Sequence, residues 1–298
     1  MQFIQFQDVT FSYPPIEGDT DQDGTQITQQ PIFDHCTAEL PGGFVSLVGP
    51  NASGKSTFML LSAGRLVPQK GKIFLLGKDT STLSEEEREK TASFIYQNME
   101  FETDETVANL LDFVFSNGCF AGKARAISAD IHFAKEEQAT RFASAGNLLS
   151  QTITVLDLQE IMQRKLSGLS KGEMQRVILA FSLLYGSQSI FMDEPLFAME
   201  NTQKHLALAF IKAYCATFGT TVYISMHELE LNRTYADNVL LFYPNRDMDF
   251  GTPDEVLTQQ ALEKAYGVPA AMLKDAEELT RKTLLEQYVH CACTTEKE

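Results

Sequence analysis

The chain has 298 residues, 24 of them basic and 40 acidic, for a formal net charge of −16. A field of that sign repels nucleic acid and anionic membrane surfaces, so it argues against a DNA-tethered protein. No stretch reaches the roughly 20 apolar residues that cross a bilayer, and Met1-Gln2-Phe3-Ile4 lacks the basic flank and apolar core of a signal peptide; a cytoplasmic protein is expected.

Residues 3–13 open with alternating apolar and polar side chains, Phe3-Ile4-Gln5-Phe6-Gln7-Asp8-Val9-Thr10-Phe11, the pattern of an edge strand. Tyr13 follows it, placed either to pack or to stack on a flat base. Residues 15–30 are polar and acidic and predict an exposed loop. Within it Asp19-Thr20-Asp21-Gln22-Asp23-Gly24 matches the first half of a calcium loop, but the twelfth position is Gln30 and not Glu. A solvated insertion is the first reading there and a weak Ca²⁺ site the second.

Pro31-Ile32-Phe33 and Gly43 to Val48 predict two further strands. The second runs into Gly49-Pro50-Asn51-Ala52-Ser53-Gly54-Lys55-Ser56-Thr57, which fits the phosphate-loop pattern G-x-x-x-x-G-K-[ST]. Glycines at these points let successive backbone N–H groups face a phosphate chain. Lys55 can reach the β- and γ-phosphates, and the Ser56 hydroxyl can ligate Mg²⁺. A helix is expected from Thr57 to about Leu66, its N-terminus favouring an anion.

Lys72 to Gly77 reads as a strand, and Ser84 with Glu87 reads as a capping box opening a helix. Ala92 to Tyr96 reads as a buried strand ending at Gln97. From about Glu102 to Arg164 strand signals fade and apolar residues recur at helical spacing, as in Val107, Leu110, Leu111 and Val114. This predicts a helical subdomain, about residues 100–170, inserted between two parts of an α/β core. Strands return at Ser189–Met192, Thr221–Ser225 and Val239–Tyr243, and Thr252-Pro253-Asp254-Glu255 starts another helix. From 261 to 298 a helical extension with a frayed end is expected.

The strand Ser189-Ile190-Phe191-Met192 delivers two adjacent carboxylates. Asp193 can hold Mg²⁺, and Glu194 can polarise a water for in-line attack on a γ-phosphate. The five cysteines, Cys36, Cys119, Cys215, Cys291 and Cys293, are scattered and odd in number, which points to reduced thiols. His290-Cys291-Ala292-Cys293 lacks the second ligand pair of a metal site.

Between the phosphate loop and the carboxylates lies Leu166-Ser167-Gly168-Leu169-Ser170-Lys171-Gly172-Glu173-Met174-Gln175-Arg176-Val177. Here the sequence resembles the ATP-binding cassette (ABC) ATPases, whose signature L-S-G-G-Q precedes a Q-R-V-like helix. Gln175-Arg176-Val177 sets the register at Leu169–Glu173, leaving Leu166-Ser167-Gly168 as an upstream decoy.

The resemblance implies an α/β phosphate-loop core: a mixed sheet with flanking helices, an N-terminal antiparallel part and the helical insertion, with the ATPase domain spanning residues 1–260. It implies that Ser170 and the Gly172 backbone contact the nucleotide of an opposite subunit in a head-to-tail dimer. It gives Tyr13 to adenine, Gln97 to Mg²⁺ and the attacking water, His227 to the γ-phosphate, and Ala198-Met199-Glu200 to the dimer loop. Lys171, Glu173 and Glu200 depart from the family pattern, as do Leu196-Phe197 before that loop. The implied protein hydrolyses ATP with Mg²⁺ and drives separate membrane permease subunits. It does so as a homodimer or beside a paralogous cassette, on the inner face of the membrane, served indirectly by a substrate-binding protein and with no nucleic-acid partner. Thr80-Ser81-Thr82-Leu83-Ser84 and the single short cassette resemble the subunits of metal-chelate and cofactor importers. The rival reading is a soluble ABC ATPase of translation or DNA repair.

Overall fold

The computed structural model describes residues 2–14, 30–101, 103–269 and Leu273. The Asp19–Gly24 motif, the His290–Cys293 cluster and all of the tail from 270 except Leu273 lie outside them.

The chain opens with β1 (Gln2–Phe11), β2 (Phe33–Pro41), β3 (Phe44–Val48) and α1 (Lys55–Ser62), then β4 (Lys70–Leu75) and β5 (Lys78–Asp79). Next come α2 (Glu85–Thr91) and β6 (Ala92–Ile95), followed by α3 (Val107–Asn117), α4 (Glu136–Ser144) and α5 (Leu148–Val155). The second half holds α6 (Lys171–Tyr185), β7 (Ser189–Asp193), α7 (Asn201–Phe218), β8 (Thr221–Ser225) and α8 (Leu229–Tyr235). It closes with β9 (Asn238–Phe242), β10 (Met248–Gly251), α9 (Pro253–Val256) and α10 (Gln259–Tyr266).

Two sheets form, as expected for this class. The first is antiparallel in the order β2-β1-β4-β5; the second has the order β10-β9-β3-β8-β7-β6, parallel except for β10. Strand side chains alternate faces, and the main sheet uses both. Phe44, Ile190, Met192, Val222, Ile224 and Val239 face the core shared with the helical insertion. Val45, Leu47, Phe191, Tyr223 and Phe242 face α1 and the antiparallel sheet. Burial on both sides explains why these strands read as unbroken apolar runs.

Several expectations need correction. β1 is an interior strand paired on both edges, with β2 and with β4. Its alternation reports one buried face and carries no count of neighbours. The strand placed at Pro31–Phe33 begins at Phe33 and runs on to Pro41, its middle exposed and polar and therefore without an apolar signal. α1 stops at Ser62, four residues before the expected Leu66, because the chain closes a turn in which the N–H groups of Arg65 and Leu66 return to Leu60 O at 2.8 and 3.2 Å. The division at residue 260 falls inside α10, whose Leu262 and Ala265 are buried in the main core. The capping boxes at Ser84–Glu87 and Thr252–Glu255 form as expected.

Candidate functional site

Every chemically notable strand end lies on one edge of the main sheet. β3 runs into the phosphate loop, β6 into Gln97, β7 into Asp193-Glu194 and β8 towards His227, all at the carboxyl ends of neighbouring parallel strands. Ligand sites of open α/β sheets form at this edge. The register does the alignment: Ser225 lies opposite Leu47 on one side and Asp193 on the other.

In the loop, Gly49 has φ +146°, and a Cβ there would come within 2.6 Å of Phe242 O, so no other residue fits. Ala52 also stands in the left-handed region at φ +61°. Lys55 is buried, and its Nζ donates to the carbonyls of Gly49 and Pro50 at 2.7 and 2.8 Å, so the side chain folds back along the loop. Burial pulls its pKa down, and the charges of Glu194 and Asp193 pull it back up. Ser53 Oγ is buried without a protein partner, and Ser56 is exposed. An orphaned hydroxyl inside a ring of loop backbone is what an oxyanion ligand would satisfy. Tyr13 packs edge-on against Phe11, 5.1 Å between ring centroids, and its hydroxyl is 3.2 Å from Thr57 Oγ1. Its ring is thereby tethered to the first turn of α1.

The carboxylates are separately held. Asp193 is 7% exposed and accepts a hydrogen bond from Ser225 Oγ at 2.7 Å. That same Oγ accepts from Glu194 N–H at 2.9 Å, across the point where Glu194 adopts φ +50°. A side chain in that region costs on the order of 1–3 kcal/mol and is found where function requires it. Glu194 Oε1 lies 2.7 Å from His227 Nε2, and Oε2 accepts from Gln97 Nε2 at 3.0 Å. The His227 hydrogen bond lowers the Glu194 pKa most, working against its burial, with smaller help from the charges of His227 and Lys55 and from Gln97. A carboxylate kept ionised must accept, so His227 donates from Nε2.

Among the described residues, no hydrogen bond joins Ser170 or Gly172 to this cluster. Ser170 is the N-cap of α6 in a capping box: Glu173 N–H donates to its Oγ at 3.3 Å and its own N–H donates to Glu173 Oε2 at 2.8 Å. The Leu166–Gly168 triplet is a short 3-10 turn, in keeping with the downstream register. Glu173, in place of the family's Gln, also pairs with Arg164 Nη1 at 2.7 Å, while Arg164 Nη2 holds Gly168 O. The Ser170 backbone N–H chiefly depresses its pKa. Lys171 is exposed, with no ion pair among the described residues. A Cβ on Gly172 would meet Ala198 O at 2.8 Å, so α6 begins hard against the loop that follows Glu194. That loop presents Phe197, 76% exposed, and exposed Glu200, which makes no side-chain cap to α7.

Residues 38–197 match the ABC transporter family. The chain belongs to that family. It is 30% identical over 252 residues to the hemin import ATP-binding protein HmuV of Escherichia coli O157:H7, covering 82% of this chain and 90% of the relative. It is 26% identical over 236 residues to the petrobactin import ATP-binding protein FpuC of Bacillus anthracis, covering 79% and 81%. The fold is that of a metal-chelate type ABC transporter solved in an inward-facing conformation, with TM-score 0.61, 18% identity and 90% of each chain covered. Within the family the chain is the ATP-hydrolysing subunit of a transporter. No helix among the described residues is long and apolar enough to cross a membrane.

Sequence reasoning missed three supports of the site: Ser225, the Arg164–Glu173 pair, and the ion pair of Lys204 with Glu228. Ser225 alone had a signal, as a hydroxyl that ends an apolar strand two residues before His227.

Proposed function

We propose that two copies of the chain close head to tail over two ATP molecules and drive separate membrane permease subunits that import a metal chelate. The observation that supports the dimer is that the signature makes no hydrogen bond to the hydrolytic cluster of its own chain among the described residues. Glu194, His227 and Gln97 are joined by hydrogen bonds within one chain, whereas among the described residues none links Ser170 or Gly172 to them. A family element that works on nucleotide, yet is not bonded to the site of its own chain, is free to act on the site of another copy. The hemin and petrobactin importers among the relatives support the cargo class.

In this reading the loop amides, Ser53 and Lys55 bind the phosphates, and Tyr13 stacks on the base. Ser56 and Asp193 would hold Mg²⁺, which needs only one or two protein oxygens besides phosphate, and the ion would neutralise charge on the phosphates. Glu194 accepts a hydrogen bond from the attacking water and orients it. Gln97 shares that carboxylate, so movement of the helical insertion reaches the water. His227 keeps Glu194 ionised and faces the γ-phosphate.

Mixing tests the composite site. Ser170→Arg and Lys55→Ala subunits, each inactive alone, should recover turnover when combined, because one of the two sites is then intact. Failure to recover, or an active monomer, rejects the sandwich. Copurification from detergent-solubilised cells with a permease supports transport; sedimentation with ribosomes supports the soluble rival.

A further inference from the structure

Lys204 lies in the first turn of α7, and its ammonium pairs with the Glu228 carboxylate at the start of α8. The pair is half-buried, with Lys204 16% and Glu228 38% exposed. Glu228 follows His227 directly and occupies the N-cap position of α8, yet its side chain makes no cap. The carboxylate turns to α7 instead. In the other direction, Lys204 N–H donates to Glu200 O at 2.9 Å, which ties it to the loop beginning just after Glu194.

These contacts close a ring around the hydrolytic carboxylate. It runs from Glu194 along residues 195–200 to Lys204, across to Glu228, back one residue to His227, and over 2.7 Å to Glu194 Oε1. Farther along α7, His205 Nδ1 lies 2.9 Å from Tyr235 OH, and Lys212 Nζ donates to Tyr235 O at 3.0 Å. Those two fasten the helices to each other and touch none of the ring residues. Among the described residues, Ser225 joins the two arms at their roots through the Glu194 N–H, and Lys204 joins them at their far ends.

We infer that Lys204 is a positioning residue for hydrolysis: its pair with Glu228 sets where His227 holds Glu194 and carries displacements of the 195–200 loop to that histidine. This rests on the reading of Glu194 and His227 as the hydrolytic pair. A misplacement of about 1 Å at a reacting group can cost up to ~100-fold in rate, and a half-buried ion pair resists such drift more than an exposed one.

The test is steady-state ATP turnover of the full chain carrying Lys204→Met, Lys204→Arg, Glu228→Gln or the exchange Lys204→Glu/Glu228→Lys, with His227→Ala as control. Lys204→Met and Glu228→Gln should lower kcat about tenfold with KM for ATP within about twofold, the mark of an interaction that matters in the transition state. Lys204→Arg should keep most of the activity, and the exchanged pair should regain much of what either single change loses. Melting curves identify folded variants, and if Lys204→Met does not fold, the arginine and exchanged variants decide. Wild-type kcat in both single variants overturns the inference, as does an exchanged pair that is folded yet no better than the singles. An unaffected His227→Ala enzyme instead overturns the reading of the site beneath it.

Discussion

His227 Nε2 stands 2.7 Å from Glu194 Oε1, and this one hydrogen bond does more than any other influence to hold the carboxylate ionised. The Glu194 pKa lies below the ordinary glutamate value, so any stability it lends is complete at neutral pH and lost as pH falls through the depressed value. The acidic limb of kcat/KM for wild type should therefore fall below the range of a free glutamate. In His227→Ala the largest lowering cause is gone while burial still raises, so the limb should move to higher pH. A pH–rate profile checks this, and an unmoved limb contradicts the assigned cause.

Ser225 is 1% exposed and joins Asp193 Oδ1 to the Glu194 backbone N–H. Ser225→Ala leaves both buried partners unsatisfied, at roughly 1–3 kcal/mol each. A lowered Tm together with lowered turnover is expected, because the same hydroxyl holds the strained φ of Glu194. Thermal melts and initial rates measured on one preparation suffice.

Gly172→Ala tests the contact between the signature helix and the loop after Glu194. The added Cβ would sit 2.8 Å from Ala198 O, and that atom is backbone, so the loop must shift. Overpacking of this kind costs typically about 1–3 kcal/mol. Turnover should drop together with Tm, and wild-type turnover with an unshifted Tm would contradict the contact.

How far the site could be read from the sequence follows the range of its contacts. Gly49–Thr57, Asp193-Glu194 and His227 announce themselves because each is a short segment at a strand end with its own chemistry. The register of the signature was legible from the nearby Gln175-Arg176-Val177, and the Ser170 capping box that agrees with it spans only three residues. Ser225 with Asp193 and Lys204 with Glu228 are contacts across 32 and 24 residues, created by strand and helix packing, and no local pattern encodes them. The same holds for the fold. The buried parallel strands were legible as apolar runs, while the interior place of β1 and the full length of β2 depend on neighbours that alternation cannot count.

The central claim is that Glu194 drives hydrolysis in a site completed by a second copy. It is tested most directly by Glu194→Gln with ATP, following turnover and sedimentation together. Turnover should vanish, ATP should still bind, and the chain should sediment as a dimer with ATP and as a monomer without it. Retained turnover, or an ATP-loaded variant that stays monomeric, would contradict the claim.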